Sequence, residues 1–248
     1  MNTYKTAEVA KIIGIHPNTV RFYEEWGLIP KPERKPNGYR VFTDIHLEQF
    51  RLARLALRAE VLQNGLRKKA ITIIKTSAAG DYESAIKLAR DYLKQIKTEQ
   101  NNAEEAIEIT KNLLSKKVKD TPKLCFTRKE VADYLSITID ALRTWELNGL
   151  LTAKRKANGY RIYSEEDIQI LKIIRSLRCA NYSLISILRM LNSLSSNSEA
   201  DIRTVIDTPQ ENEDIISVCD KLLTSLQNLS KDALEMITQL EKMKEKFL

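Results

Sequence analysis

One order of residues occurs twice in this chain of 248. Glu8-Val9-Ala10, Arg21-Phe22-Tyr23-Glu24, Gly27-Leu28 and Asn37-Gly38-Tyr39-Arg40 return as Glu130-Val131-Ala132, Arg143-Thr144-Trp145-Glu146, Gly149-Leu150 and Asn158-Gly159-Tyr160-Arg161. Such a repeat constrains the fold more than any single motif, because both copies must bury the same face in the same way. It predicts two small domains of one architecture, and the length suits about two.

The composition narrows the class. Seven glycines, six prolines and runs rich in Leu, Ile, Lys and Glu predict a mostly helical protein. No stretch approaches the roughly 20 apolar residues of a membrane span, and Met1-Asn2-Thr3-Tyr4-Lys5 lacks the apolar region of a signal peptide. A cytoplasmic protein without membrane contact is expected. The net charge of +7 is segregated: residues 1–75 carry +7 and 123–195 carry +5, whereas 76–122 balance and 196–248 carry −5. Positive charge therefore gathers on the repeated segments, as a phosphate-binding face requires, and a merely soluble basic surface does not predict that segregation.

Catalytic and metal chemistry find little support. Cys125, Cys179 and Cys219 have no short spacing, so they suggest neither a disulfide framework nor a compact zinc site. They read as buried or spectator thiols. His16 and His46 have no evident catalytic partner, and there is no phosphate-cradling glycine loop and no nucleophile with an adjacent base. No enzyme and no cofactor are expected.

Within the first copy, Ala7, Val9, Ala10, Ile12 and Ile13 fit a short helix over Thr6 to Ile13 packed on one side. Gly14 permits a tight turn. A second helix begins near His16, with Pro17 at its first position, and stops near Trp26 with Gly27. This is a helix-turn-helix. Val20 faces the core beside Ile15 and Leu28, leaving His16, Asn18, Thr19, Arg21 and Phe22 toward a DNA groove. In the second copy Ser136 replaces Gly14 and Thr138 provides the N-cap, ahead of Asp140, Arg143 and Thr144. DNA-reading proteins usually obtain two heads by dimerising, because a duplex repeats its grooves every turn; here both are joined in one polypeptide.

A basic hairpin follows each helix pair. Lys31 to Phe42 reads as two short strands closed by Asn37-Gly38, a pair suited to positive φ at a hairpin tip. Ala153 to Tyr163 is one residue shorter before its tip but keeps Arg155-Lys156 and Asn158-Gly159-Tyr160-Arg161. Arg34, Lys35, Tyr39 and Arg40, with Arg155, Lys156, Tyr160 and Arg161, can bond phosphate oxygens and set register without specifying bases.

These residues resemble the MerR family of winged-helix transcription regulators. The likeness runs through Tyr4 to Ala10, Gly14-Ile15, Thr19 to Glu24, Gly27-Leu28-Ile29 and Asn37 to Arg40, then a helix from Asp44 with Leu47, Phe50 and Leu55 inward. In the second copy it reaches Asp167-Ile168, Tyr182-Ser183-Leu184 and Ile187. The resemblance implies that Thr19, Arg21 and Tyr23 touch DNA from the recognition helix, and Arg34, Tyr39 and Arg40 touch phosphates from the wing. Their equivalents are Ala141, Arg143 and Trp145, then Arg155, Tyr160 and Arg161. Ala141 lacks the hydroxyl of Thr19, Thr144 replaces Phe22 and Asn148 replaces Trp26, so the heads are expected to prefer different half-sites. Plainer readings stand beside these: Tyr23 and Trp145 as core aromatics, Arg21 and Arg143 as solvated cations, Arg40 and Arg161 as hairpin supports.

Two further stretches carry apolar seams. Ile86, Ala89, Leu93, Ile96, Gln100, Ala103, Ile107, Thr110 and Leu114 alternate in steps of three and four, as do Ile215, Cys219, Leu222, Leu226, Leu229, Ala233, Met236, Leu240, Met243 and Phe247. Each helix of roughly 30 residues spans about 45 Å, comparable with the roughly 34 Å repeat of the major groove. MerR-like proteins dimerise through an antiparallel helix pair in this position, so 83–116 is expected to pair with 213–247 within the chain. A homodimer with four heads stays open.

The expected architecture is mostly α: two winged helix-turn-helix domains, each followed by a long coiled-coil helix, the helices pairing antiparallel. The boundaries are 1–75 and 119–192 for the heads, 76–118 and 213–248 for the coiled-coil helices, and 193–212 for a linker. The resemblance implies a sequence-specific regulator of transcription, a single-chain pseudo-dimer on a pseudo-palindromic promoter site in double-stranded DNA, bending or untwisting it so that RNA polymerase engages. An architectural or excision factor for recombination competes, and a drug-sequestering protein is weaker, since no sizeable domain follows either seam. An effector, the operator, and activation or repression are not written in the residues.

Overall fold

A computed structural model of the protein describes residues 2–58, 65–115, 125–156, 159–196, 200–209 and 221–247. The described residues are mostly helical, with two small sheets, as the composition predicts. Two compact units divide the chain, Met1–Thr98 with Leu226–Leu248, and Glu99–Ser225.

The first unit begins with β1 (Thr3–Tyr4), α1 (Thr6–Ile13) and α2 (Pro17–Glu25). α1 starts where Glu8 Oε2 accepts the Lys5 N–H at 2.6 Å, and it ends at Gly14, whose φ of 71° only glycine adopts without cost. α2 opens on His16, whose Nδ1 accepts the Asn18 N–H at 3.2 Å, with Pro17 in the first turn where a missing N–H costs nothing. The hairpin of β2 (Glu33–Arg34) and β3 (Arg40–Thr43) follows. β1 adds a third strand that the sequence reading did not foresee, giving the antiparallel order β1-β3-β2 with Tyr4 opposite Phe42 and Arg34 opposite Arg40. Two residues are too few to show an alternating pattern.

The hairpin tip differs in detail from the expected two-residue turn. Gly38 N–H donates to Lys35 O at 2.8 Å and Lys35 N–H to Tyr39 O at 2.9 Å, and of Asn37 and Gly38 only Gly38 has positive φ. That is a three-residue loop closed by a glycine bulge, for which Pro36 presets the first turn angle.

Behind the sheet, Val9, Val20, Phe42 and Phe50 are fully buried, joined by Ala10, Ile29 and Leu47 and flanked by Tyr4, Ile13, Ile15 and Tyr23. Phe50 and Leu47 come from α3 (Asp44–Ala56), whose Gln49 is buried. The Gln49 amide donates to Leu28 O at 3.1 Å and Ile74 O at 2.8 Å, and its oxygen accepts the Ser77 hydroxyl at 2.8 Å. One side chain thus ties the end of the α2 turn to α3 and to α4 (Leu66–Ala78) with every polar atom satisfied.

Two long helices complete the framework: α5 (Tyr82–Ser115), of which Tyr82–Thr98 lies in the first unit, and α11 (Leu222–Phe247), of which the stretch from Leu226 does. Leu226, Leu229, Ala233, Met236, Leu240 and Met243 are buried, as are Ile86, Ala89 and Ile96, following the seam residues named from sequence. Tyr82, Ala85 and Tyr92 are buried besides. Burial pushes the Tyr92 hydroxyl up to about 12. Within this unit Glu83 bonds Lys244 at 2.6 Å, Arg90 bonds Glu241 at 3.0 Å, and the Gln239 amide donates to Glu48 O at 2.8 Å.

The second unit repeats the plan with β4 (Phe126–Thr127), α6 (Arg128–Leu135), α7 (Ile139–Leu147), β5 (Lys154–Arg155), β6 (Arg161–Tyr163), α8 (Glu165–Cys179) and α9 (Leu184–Ser196). Its sheet has the matching order β4-β6-β5. Ser136 takes the left-handed place of Gly14 with φ 51°, and the Thr138 hydroxyl caps α7 by accepting the Ala141 N–H at 3.0 Å. From the first seam, Ala103, Ile107 and Thr110 are buried here, Thr110 returning its hydroxyl to Ala106 O at 2.8 Å. Leu114 departs from the expected seam: it lies in the last turn of α5 and is 43% exposed.

The stretch expected to be a linker contains a helix, α10 (Ile202–Asp207). Ile202 and Ile206 are buried, and the buried Arg189 guanidinium donates to Val205 O at 2.8 Å and Ile206 O at 3.0 Å. The Asp207 carboxylate then accepts the Leu223 and Thr224 N–H groups at 2.8 and 3.1 Å, capping the start of α11. Asn158 of the second hairpin tip, the link 116–123 with Pro122, and Ile215 and Cys219 of the second seam lie outside the described residues.

Candidate nucleic-acid interface

The outer face of α2 is set by its inner one. Val20 enters the core, so Asn18, Arg21, Phe22 and Glu25 face outward, and Thr19 is half-exposed. Arg21 makes no ion pair among the described residues, nor does Arg143 on α7. Tyr23 lies partly inside: it stacks on Phe50 with ring centroids 5.4 Å apart, and burial raises its hydroxyl pKa. Phe22 and Trp26 stand outside, 52% and 65% exposed and 6.2 Å apart.

Glu24 is the residue that sequence reasoning missed. Its carboxylate accepts from Arg34 at 3.3 Å and from Arg40, so α2 grips both strands of the following hairpin. Arg34 remains half-exposed, and a guanidinium has five donors, so both arginines keep N–H groups for a phosphate. Lys35 and Tyr39 extend beyond into solvent. The signal was present in sequence: the repeated tetrads at residues 21–24 and 143–146 both end in Glu, an acid inside a basic surface.

The second head uses the same carboxylate with different partners. Glu146 accepts from Arg128 at 2.6 Å, from Arg161 at 3.1 Å and from the Tyr163 hydroxyl. Burial and that bond to Glu146 raise the Tyr163 pKa. Arg155 is released from the acid and donates to Gly159 O at 3.1 Å, closing the hairpin tip. Lys156 and Tyr160 are exposed, with Tyr160 as open as Tyr39.

The remaining expected residues fall into two groups. Asp140, Arg143 and Thr144 share the outward face of α7, and Ala141 is half-exposed. Trp145, expected to touch DNA, is not on that face: it is 6% exposed, with the buried Leu142 on the same helix, and takes the plainer reading of a core aromatic. His16 and Thr138 sit at the helix starts as caps, where their side chains are committed to backbone N–H groups. Arg40 and Arg161 both support the hairpin through the buried acid.

Cys125 and Cys179 are exposed thiols. Among the described residues no group of His, Cys, Asp and Glu is placed to hold a metal ion, and no helix is long and apolar enough to cross a membrane.

Comparison with known proteins meets this geometry at both heads. Residues 5–42 match the model of the MerR family regulatory protein, and residues 126–194 that of the MerR HTH family regulatory protein. The HTH-type transcriptional regulator CueR of Escherichia coli is 48% identical over 50 residues, 20% of this chain and 37% of that protein. YfmP of Bacillus subtilis, also an HTH-type transcriptional regulator, is 42% identical over 50 residues, 20% of this chain and 36% of its own. The mercuric resistance operon regulatory protein of Bacillus cereus is 42% identical over 40 residues, 16% of this chain and 30% of its own. The chain thus spans between 30% and 37% of the length of these relatives, and no solved structure matches it significantly. Two separate family matches, each lying on a helix pair and its hairpin, mark both heads as MerR-like helix-turn-helix domains in tandem.

Proposed function

We propose that the chain binds double-stranded DNA sequence-specifically as a single-chain pseudo-dimer, one winged head on each half of a pseudo-palindromic promoter site. The observation that carries this reading is the repeated pairing of an outward arginine that makes no ion pair among the described residues, Arg21 or Arg143, with a hairpin held to the same helix by a carboxylate, Glu24 on Arg34 and Arg40 and Glu146 on Arg161. A groove-facing cation on a rigid helix reads base edges, and a locked basic hairpin sets register on phosphates.

The heads correspond to 1–75 and 119–192, joined through the coiled-coil helices 76–118 and 213–248 and the linker 193–212. Antiparallel pairing of α5 with α11 is supported inside the first unit, where Glu83 meets Lys244 and Arg90 meets Glu241 in opposite running order. Bending or untwisting of the site lets RNA polymerase engage, a deformation whose cost varies with sequence.

Arg21→Ala and Arg143→Ala each weaken protection of one half-site, by about 1–3 kcal/mol for a lost base contact, as read by footprinting and anisotropy on operator DNA. Wild-type affinity in both variants refutes the assignment. Sedimentation at low concentration returns one chain per particle; a two-chain particle refutes the intramolecular pairing.

A further inference from the structure

We propose that Phe22 and Trp26 form an apolar wedge that reads thymine methyl groups, and that only the first head has it. The inference rests on the DNA-binding reading above and names what one half-site must contain.

Asn18, Phe22 and Trp26 recur every four residues and so share one stripe of α2. From Asn18 to Trp26 the stripe covers about 12 Å, the length of three to four base-pair steps. Both aromatic rings are more than half exposed and tilted against each other, so the core does not require them. Exposed aromatic surface on a small domain marks a contact site, and its surroundings name the occupant. Arg21 lies on the neighbouring stripe, and the first 75 residues carry +7, a field that draws a polyanion. In the major groove the apolar feature of a base pair is the thymine methyl.

The second head keeps an outward Arg143 and exposes Leu147, but lacks both aromatic rings. Thr144 and Asn148 stand at the matching positions and turn their polar atoms back on their own helix, the Thr144 hydroxyl to Asp140 O and the Asn148 amide to Thr144 O, both at 2.8 Å. Its stripe of Asp140, Thr144 and Asn148 is polar and carries no aromatic ring. The halves of the binding site therefore differ in thymine content, with the methyl-dependent half under α2.

The test begins with DNA enriched from a random pool by the wild-type chain, its half-sites assigned by the protection lost in Arg21→Ala and in Arg143→Ala. Uracil is then placed for thymine in one half at a time. Under α2, affinity falls about fourfold for each contacted methyl, the worth of burying one such group; in the other half it stays within twofold. Phe22→Thr with Trp26→Asn, which installs the second head's residues on exposed positions, abolishes the uracil effect. Equal uracil cost in both halves, or a double variant that keeps the cost, overturns the wedge while leaving DNA reading intact. Unchanged affinity of the double variant for all-thymine DNA also overturns it and directs the aromatic pair to a protein partner. If the wild-type chain enriches no sequence, the DNA reading fails and the wedge with it.

Discussion

The first head wears two large aromatics on the outward side of its second helix, and the second head keeps the one aromatic of that helix within. Phe22 and Trp26 lie open to solvent beside a half-buried Tyr23, whereas Thr144 and Asn148 flank a buried Trp145. The carboxylates diverge as well: Glu24 holds two hairpin arginines, and Glu146 holds one, together with Arg128 and the Tyr163 hydroxyl. The backbone plan is common to both. The contrast separates what the fold needs from what it carries: apolar mass is required behind the helix pair, and the core does not require the apolar mass in front.

The sharpest way to break that comparison is to delete the aromatics. Trp145→Ala opens a cavity in the second head and destabilises it by about 3–5 kcal/mol, whereas Trp26→Ala changes stability by less than about 0.5 kcal/mol. Urea unfolding followed by circular dichroism checks both; a large loss from Trp26→Ala removes the distinction between core and contact aromatics. Next come the acids. Glu146→Ala strands two cations and a hydroxyl and costs about 2–3 kcal/mol, and Glu24→Ala costs about 1–2 kcal/mol because it strands two cations, one of them the half-exposed Arg34, and no hydroxyl. Equal losses would show that the partner sets do not matter.

A smaller effect lies at the helix turns. Gly14→Ala forces a side chain into a left-handed φ of 71° and destabilises by about 1 kcal/mol, while Ser136→Gly relieves φ 51° and stabilises by a similar amount. Opposite shifts in thermal midpoint are expected, and shifts of one sign break the equivalence of the two turns. The smallest effect is pH-dependent. His46 is buried at the start of α3, its Nδ1 accepting the Thr43 N–H at 3.0 Å, and burial lowers its pKa while nearby Glu24 opposes this. The unfolded chain takes up that proton near pH 6.5 and the folded head only below it, so stability falls as pH drops from about 6.5. Asp167 fills the matching capping position in the second head, bonding the Ser164 N–H at 2.8 Å. His46→Asn abolishes the acid sensitivity of the first unit; an unchanged pH profile rules out His46 as its source.

Both helix pairs, their turns and the inward faces of Val20, Leu47 and Phe50 were legible in sequence, because periodicity, glycine and capping residues act over a few neighbours. Trp145 was not placed correctly: a resemblance transfers a position, while burial depends on which neighbouring aromatics compete for the same interior. Glu24 and Glu146 escaped because their partners lie 10 to 18 residues away, beyond any local pattern. The two-residue strands β1 and β4 escaped because strand pairing is a property of the partner, β3 or β6, and not of two residues alone. α10 hid in a polar stretch because its apolar contribution is only Ile202, Val205 and Ile206, and Arg189 completes it from a distance.

The two carboxylate clamps belong to different stretches of one gene. In a pair of identical subunits any change to such a clamp is enforced on both sides at once. Here Glu24 can change its hold while Glu146 keeps its own, and each head can diverge one mutation at a time.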